Sequence, residues 1–104
     1  MSATAVADPH PQHLRALARA NAVRLARAEL KRRIADGVVT AAEVFSACPW
    51  EAASMSVVDV LQSQRRWGST RCRRFLLGLQ ISETKTVGGL TSRQRGQIAG
   101  ALST

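Results

Sequence analysis

From His13 to Ala35 the chain contains neither glycine nor proline and consists largely of alanine, leucine and arginine. These are strong helix formers, and Gly37 stands where a terminator is expected. A long helix is therefore predicted from His13 to about Ala35. In its second half Val23, Ala26, Leu30 and Ile34 recur close to the helical period and form one apolar stripe. Leu14 and Leu17 do not continue it and point to nearly the opposite side. The pattern predicts a docked C-terminal half and a projecting N-terminal half. Arg24, Arg27 and Lys31 lie on the flank of the stripe at spacings of three and four. With Arg15, Arg19, Arg32 and Arg33 set against Glu29, they make the element a cationic rod. Residues 1–12, with Pro9, Pro11 and no periodicity, read as a disordered arm.

Beyond Gly37 the signals are short helices with punctuation. Thr40 with Glu43 is a capping box opening a helix through Val44 and Phe45, ended by Pro49. Ser56 with Asp59 caps a helix in which Val57, Val60 and Leu61 share a face. After a turn at Trp67-Gly68-Ser69-Thr70, Cys72, Phe75, Leu76 and Leu79 form a core stripe at i, i+3, i+4 and i+7. Residues 80–89 read as a loop. Thr91 with Gln94 is a further capping box, and Ile98, Ala101 and Leu102 give the last helix its buried side. Gly96 and Gly100 within it are read as sites of close helix packing, and Trp50 as core or lid. No useful period-2 alternation occurs. The expected class is all-α, about five helices: a disordered arm (1–12), a long basic helix (13–36) and a compact domain (37–104).

Charge narrows the function. Fifteen Lys+Arg against seven Asp+Glu give a net charge of +8. Arginine, whose rigid fork matches phosphate oxygens, greatly outnumbers lysine. A GC-rich coding sequence also favours arginine, so the distribution carries more weight than the ratio. Residues 35–64 hold no Lys or Arg but contain Asp36, Glu43, Glu51 and Asp59, whereas residues 65–74 hold Arg65, Arg66, Arg71, Arg73 and Arg74 and no acid. One acidic and one basic side are expected, an electrostatic footprint for nucleic acid. Cys48 and Cys72 lack metal-ligand spacing and read as small, reduced core residues. No secretory signal, membrane span, P-loop, paired carboxylates or histidine in the folded region is found. The expectation is a non-enzymatic protein of the cytoplasm and nucleoid without metal or cofactor.

The main contact is expected at Arg65-Arg66-Trp67-Gly68-Ser69-Thr70-Arg71. Glycine lets a backbone approach a phosphate, and the amides that follow belong to an open helix N-terminus, which attracts anions. Ser69 and Thr70 add neutral donors; Arg65, Arg66, Arg71 and nearby Arg74 add charged ones. An ordinary interhelical turn with solvated arginines is the competing reading. Trp67 either wedges a base step or packs the turn onto the core, with packing favoured. Arg93 and Arg95 sit in helical turns whose dipole disfavours cations, which hints at a binding role.

Trp67-Gly68-Ser69-Thr70-Arg71-Cys72, Leu79-Gln80-Ile81-Ser82-Glu83-Thr84-Lys85, Val87, Gly89-Leu90 and Arg93-Gln94-Arg95 together resemble the actinobacterial, mycobacterial-type integration host factor family. The resemblance extends upstream through Val57, Val60, Leu61 and Arg27-Ala28-Glu29-Leu30-Lys31, over roughly residues 14–104. It implies a long helix joined to a helix-two-turns-helix domain, like that of a small-subunit ribosomal protein. It also implies weakly base-specific binding of duplex DNA through the turn at Gly68–Arg71 and the loop at Lys85, with bending or compaction. A second DNA surface is implied as well, for which Arg24, Arg27 and Lys31 are the candidates. Gln64, Arg65 and Ser69 depart from the family pattern, as from a divergent or phage-borne member. Double-stranded DNA is the expected partner of a monomer, with integrase or recombination complexes beyond it and no membrane. RNA or ribosome binding, or docking of an acidic protein on the basic face, are the alternatives.

Overall fold

The computed structural model describes residues 11–103. These residues are all-α, in five helices: α1 (Pro11–Ala35), α2 (Ala41–Ala47), α3 (Val57–Gln62), α4 (Ser69–Leu79) and α5 (Ser92–Ser103). Pro11 and Gln12, expected in the arm, are helical. Proline suits a first helical turn, where its missing N–H is not needed. The remainder of the expected arm, residues 1–10, lies outside the described residues.

Helix α1 ends where the glycine required. Gly37 takes φ 79°, and its N–H donates to Ile34 O (3.2 Å) while Val38 N–H donates to Arg33 O (2.9 Å). This paired closure satisfies two terminal carbonyls and needs a left-handed residue. Leu30 and Ile34 are buried, Val23 and Ala26 half-buried, and residues 12–22 exposed. The molecule consequently measures 60 × 27 × 23 Å, a rod standing on a small body. Within the rod Glu29 accepts from Arg32 (2.5 Å) and Arg33 (3.2 Å). The bond from Arg32, and then the cationic charges, hold the Glu29 carboxyl below the usual carboxylate range. Their contribution is present at neutral pH and disappears as pH falls through that lowered value.

The docked half of α1 corrects one expectation. Lys31 Nζ lies 3.1 Å from Asp59 at the start of α3, and the Arg27 guanidinium donates to Ser54 Oγ. Both cations face the body and fasten the helix to it. Of Arg24, Arg27 and Lys31, Arg24 stays exposed without such a partner. The three do not form one outward surface, because the flank of a docked stripe is itself an interface.

The core joins α2 to α5 and α3 to α4. Phe45, Leu61, Leu76, Ile98, Val57 and Val87 are fully buried at its centre. Local chemistry sets the helix starts. Thr40 and Glu43 exchange both capping bonds, Asp59 N–H donates to Ser56 Oγ (3.2 Å), and Thr91 and Gln94 bond reciprocally at 3.0 and 3.1 Å. The segment between α4 and α5 does not wander. Val57 N–H donates to Lys85 O, Val87 N–H to Met55 O and Gly88 N–H to Ala53 O, an antiparallel seam of irregular backbone. A Cβ on Gly88 would meet Ala53 O at 2.8 Å, so this glycine is required by close approach.

Two further expectations are corrected. Trp50 is 63% exposed rather than core, because the turns from residue 50 to 54 carry Ala52 and Met55 inward instead. Gly96 and Gly100 are not packing sites, since a Cβ at either would meet nothing within 4 Å. Without that constraint the glycines only weaken the helix. Gly96→Ala and Gly100→Ala should each raise stability by about 0.5–1 kcal/mol, read as a higher midpoint in urea with an unchanged slope.

Candidate nucleic-acid interface

The turn between α3 and α4 combines three unusual local features. Arg66 occupies the left-handed region at φ 67° without being glycine, a conformation costing on the order of 1 kcal/mol. Gly68, the residue before α4, makes no capping bond. The starts of α2, α3 and α5 are all closed by hydroxyl side chains, so among the body helices α4 alone opens with bare amides. Cys72 N–H is the first to be satisfied in the helix, by Gly68 O (3.1 Å); the amides of Ser69, Thr70 and Arg71 precede it. No acid lies in the first turn of α4 to offset its dipole.

Gly68 itself is required neither by backbone nor by packing. Its φ is −80°, which any residue adopts, and a Cβ would find no atom within 4 Å. The open space lies outside the protein, where an approaching anion would stand.

Around this end the side chains divide into bound and unbound cations. Arg71 lies over the Trp67 ring, 4.2 Å from its centroid, and the Trp67 and Phe75 rings form a T-shaped pair, centroids 5.3 Å apart at 82°. Trp67 is thus held between Phe75 and Arg71, packing the turn to the body and steering the guanidinium of Arg71. Arg71, Arg74, Trp67 and Phe75 line one shallow groove with Ala101 and Leu102 of α5. Neither Arg71 nor Arg74 has a carboxylate partner among the described residues, and Arg66 has none either.

Arg65 is placed differently from its expected role. Its Nε donates to Ala35 O (2.8 Å) and its Nη2 lies 3.8 Å from Asp36, so it closes the C-terminus of α1. Arg65→Ala should therefore lower stability by about 0.5–1.5 kcal/mol while changing nucleic-acid affinity less than Arg71→Ala does. Chemical denaturation and binding of the same sample separate the two effects. Arg73 is tied to Glu83 (3.3 Å).

Lys85 and Arg93 are exposed and without carboxylate partners among the described residues, and they belong to the α4–α5 segment and the start of α5 rather than to the turn. Arg93 sits about 14 Å along α5 from Leu102. Arg95 is half-buried: one Nη donates to Ser92 Oγ (3.4 Å), and its Nε is covered without a partner. Ser69 and Thr70 are exposed at the open helix end. The expected acidic side is incomplete, since Asp36 and Asp59 pair with Arg32, Arg65 and Lys31 along the seam with α1. Burial pushes the Cys72 thiol up, and Arg71 nearby only partly opposes this. No group of His, Cys, Asp and Glu among the described residues could hold a metal ion, and no helix among them is long and apolar enough to cross a membrane.

No family model matches the chain, and no curated protein does. A solved structure described as sIHF bound to an 8-base-pair palindromic DNA is similar to it, with a TM-score of 0.72 and 29% identity. The likeness covers 80% of this chain and 96% of that one. The fold is of the sIHF type.

Proposed function

We propose that this protein binds duplex DNA through the phosphate backbone, with little base preference, and bends or compacts it. The observation that carries the reading is the uncapped start of α4: bare amides behind an unobstructed glycine, attended by Arg66, Arg71 and Arg74, none of them neutralised by an acid. Helix dipole, amides and guanidinium groups all favour the same ligand, a phosphate. Lys85 and Arg93 extend the contact along the strand. The similarity to a DNA-bound sIHF supports the same reading, as does the resemblance to integration host factors. The protein is a binder rather than an enzyme, free in solution as a monomer at ordinary salt, in the nucleoid of the cytoplasm, and its bending of DNA would serve recombination complexes.

The test is anisotropy with labelled duplexes of unrelated sequence at one fixed salt concentration. Dissociation constants should agree within about threefold, because phosphate contacts position a protein without reading bases. A structured RNA competing as well as duplex DNA would replace the proposal with RNA binding. An absence of binding at low salt would end it.

A further inference from the structure

A groove of about 360 Å³ runs between the C-terminal half of α1 and α2. Its floor is apolar, formed by Ala26, Leu30, Val39, Val44 and Pro49. Two of the glutamates lining it carry no ion pair. Glu43 is engaged in the Thr40 capping box, and Glu51 has no charged partner among the described residues. The cation that lines the groove, Arg33, is tied to Glu29. In a chain of net charge +8, these two unneutralised acids beside an apolar floor are out of character with the rest of the surface.

Such a groove fits an amphipathic helix whose apolar stripe is bordered by cations. The protein itself carries one. Leu14, Leu17 and Leu25 lie within about 80° of arc on α1, and they are 52%, 54% and 63% exposed. Arg24 borders the stripe on one side, Arg15 lies farther round on the other, and Arg19 is on nearly the opposite face. Because α1 is unbroken from Pro11 to Ala35, a molecule cannot fold its own first half back onto a groove that flanks its second half. The occupant must come from another molecule.

We infer that the projecting half of α1 docks in the α1–α2 groove of a second copy of this chain, joining neighbouring copies head to tail. Leucines cover the apolar floor, and Arg15 and Arg24, on the two sides of the stripe, meet Glu43 and Glu51. The contact joins two different surfaces, so it extends into a row instead of closing on a pair. Two free copies repel through their net charge; a polyanion removes that repulsion and concentrates them. The row therefore forms on DNA and rests there on the binding proposed above, whereas the docking contact itself does not.

Three measurements test it on the full-length protein. The first is binding to a duplex long enough for one copy, which reports the phosphate site alone. The second is binding to a duplex long enough for many copies, read for cooperativity. The third is sedimentation equilibrium without DNA at about 1 M salt, where the Debye length is about 3 Å and charge repulsion is screened. Leu14→Ser with Leu17→Ser disables the helix, and Ala47→Gln with Glu51→Gln obstructs the groove; both pairs change exposed or partly exposed residues. Each pair should leave single-site affinity within about twofold, reduce cooperativity about tenfold and abolish the high-salt association. An equal mixture of the two variants should recover pairs but not rows, since one intact helix and one intact groove remain between them. The inference is overturned if the wild type neither binds cooperatively nor associates at high salt, or if both variant pairs match it in these measurements. Loss of single-site binding by the wild type would instead reject the DNA reading, while the high-salt association would still decide the docking.

Discussion

Raising the salt from 50 to 200 mM is expected to weaken DNA binding by roughly 10²–10³-fold, for about five phosphates neutralised and a slope of about −0.9 per phosphate. The number of cations comes from their partners in the structure. Arg66, Arg71, Arg74, Lys85 and Arg93 are exposed and lack a carboxylate. Arg65 is spent on the end of α1, Arg73 on Glu83, and Arg27 and Lys31 on the docking of the rod. Basic residues in the turn and loop alone would lead to a steeper dependence. Removing Arg71 and Arg74 together by alanine should flatten the slope by about two and weaken every duplex alike. Anisotropy at four or five salt concentrations measures both quantities. A slope near zero, or a loss confined to one base position, would contradict backbone binding.

Gly68→Asp should separate affinity from stability more sharply than any arginine variant. Aspartate is a favoured residue at a helix start and would accept from the bare amides of α4. Folding stability should be unchanged or higher by a few tenths of a kcal/mol, since φ −80° and the empty surroundings impose no strain. DNA affinity should nevertheless fall about 30–100-fold, as a carboxylate occupies the anion position and repels the phosphate. Gly68→Ser closes the same amides without charge, and a loss of about 3–10-fold is expected from it. Thermal melts and single-site binding on the three proteins give the comparison. If Gly68→Asp binds like the wild type, the open end of α4 is not where phosphate sits.

The elements that could be read from the sequence were those whose causes are local. The Thr40–Glu43 and Thr91–Gln94 caps and the Gly37 closure each depend on residues a few positions apart, and all form as the spacing implies. The Val57, Val60, Leu61 face and the Cys72–Leu79 stripe likewise reach the core or pack against it. What was hidden depends on long-range meetings. Nothing near Arg65 in sequence announces Ala35, thirty residues earlier. Nothing near Lys31 announces Asp59, and the four-residue spacing that marks an exposed basic flank is equally the spacing of a docked one. Gly96 and Gly100 depart from their expected packing for the opposite reason: small residues permit contact but do not supply a partner. Within the turn, the glycine and the arginine density are visible in the sequence, while the division into engaged and available cations required the fold.

The fastening of α1 has a mechanical consequence. Lys31–Asp59 and Arg65–Ala35 clamp the rod at separate points, and the second clamp starts in the very segment that would touch the duplex. On the proposed reading, each bound molecule holds its spoke at a set bearing to the double helix, without a swivel between grip and shaft. Cutting the Arg65 tether would loosen that bearing. A coated duplex would then flex more readily at the same occupancy, a change in bending rigidity that stretching a single DNA molecule would register.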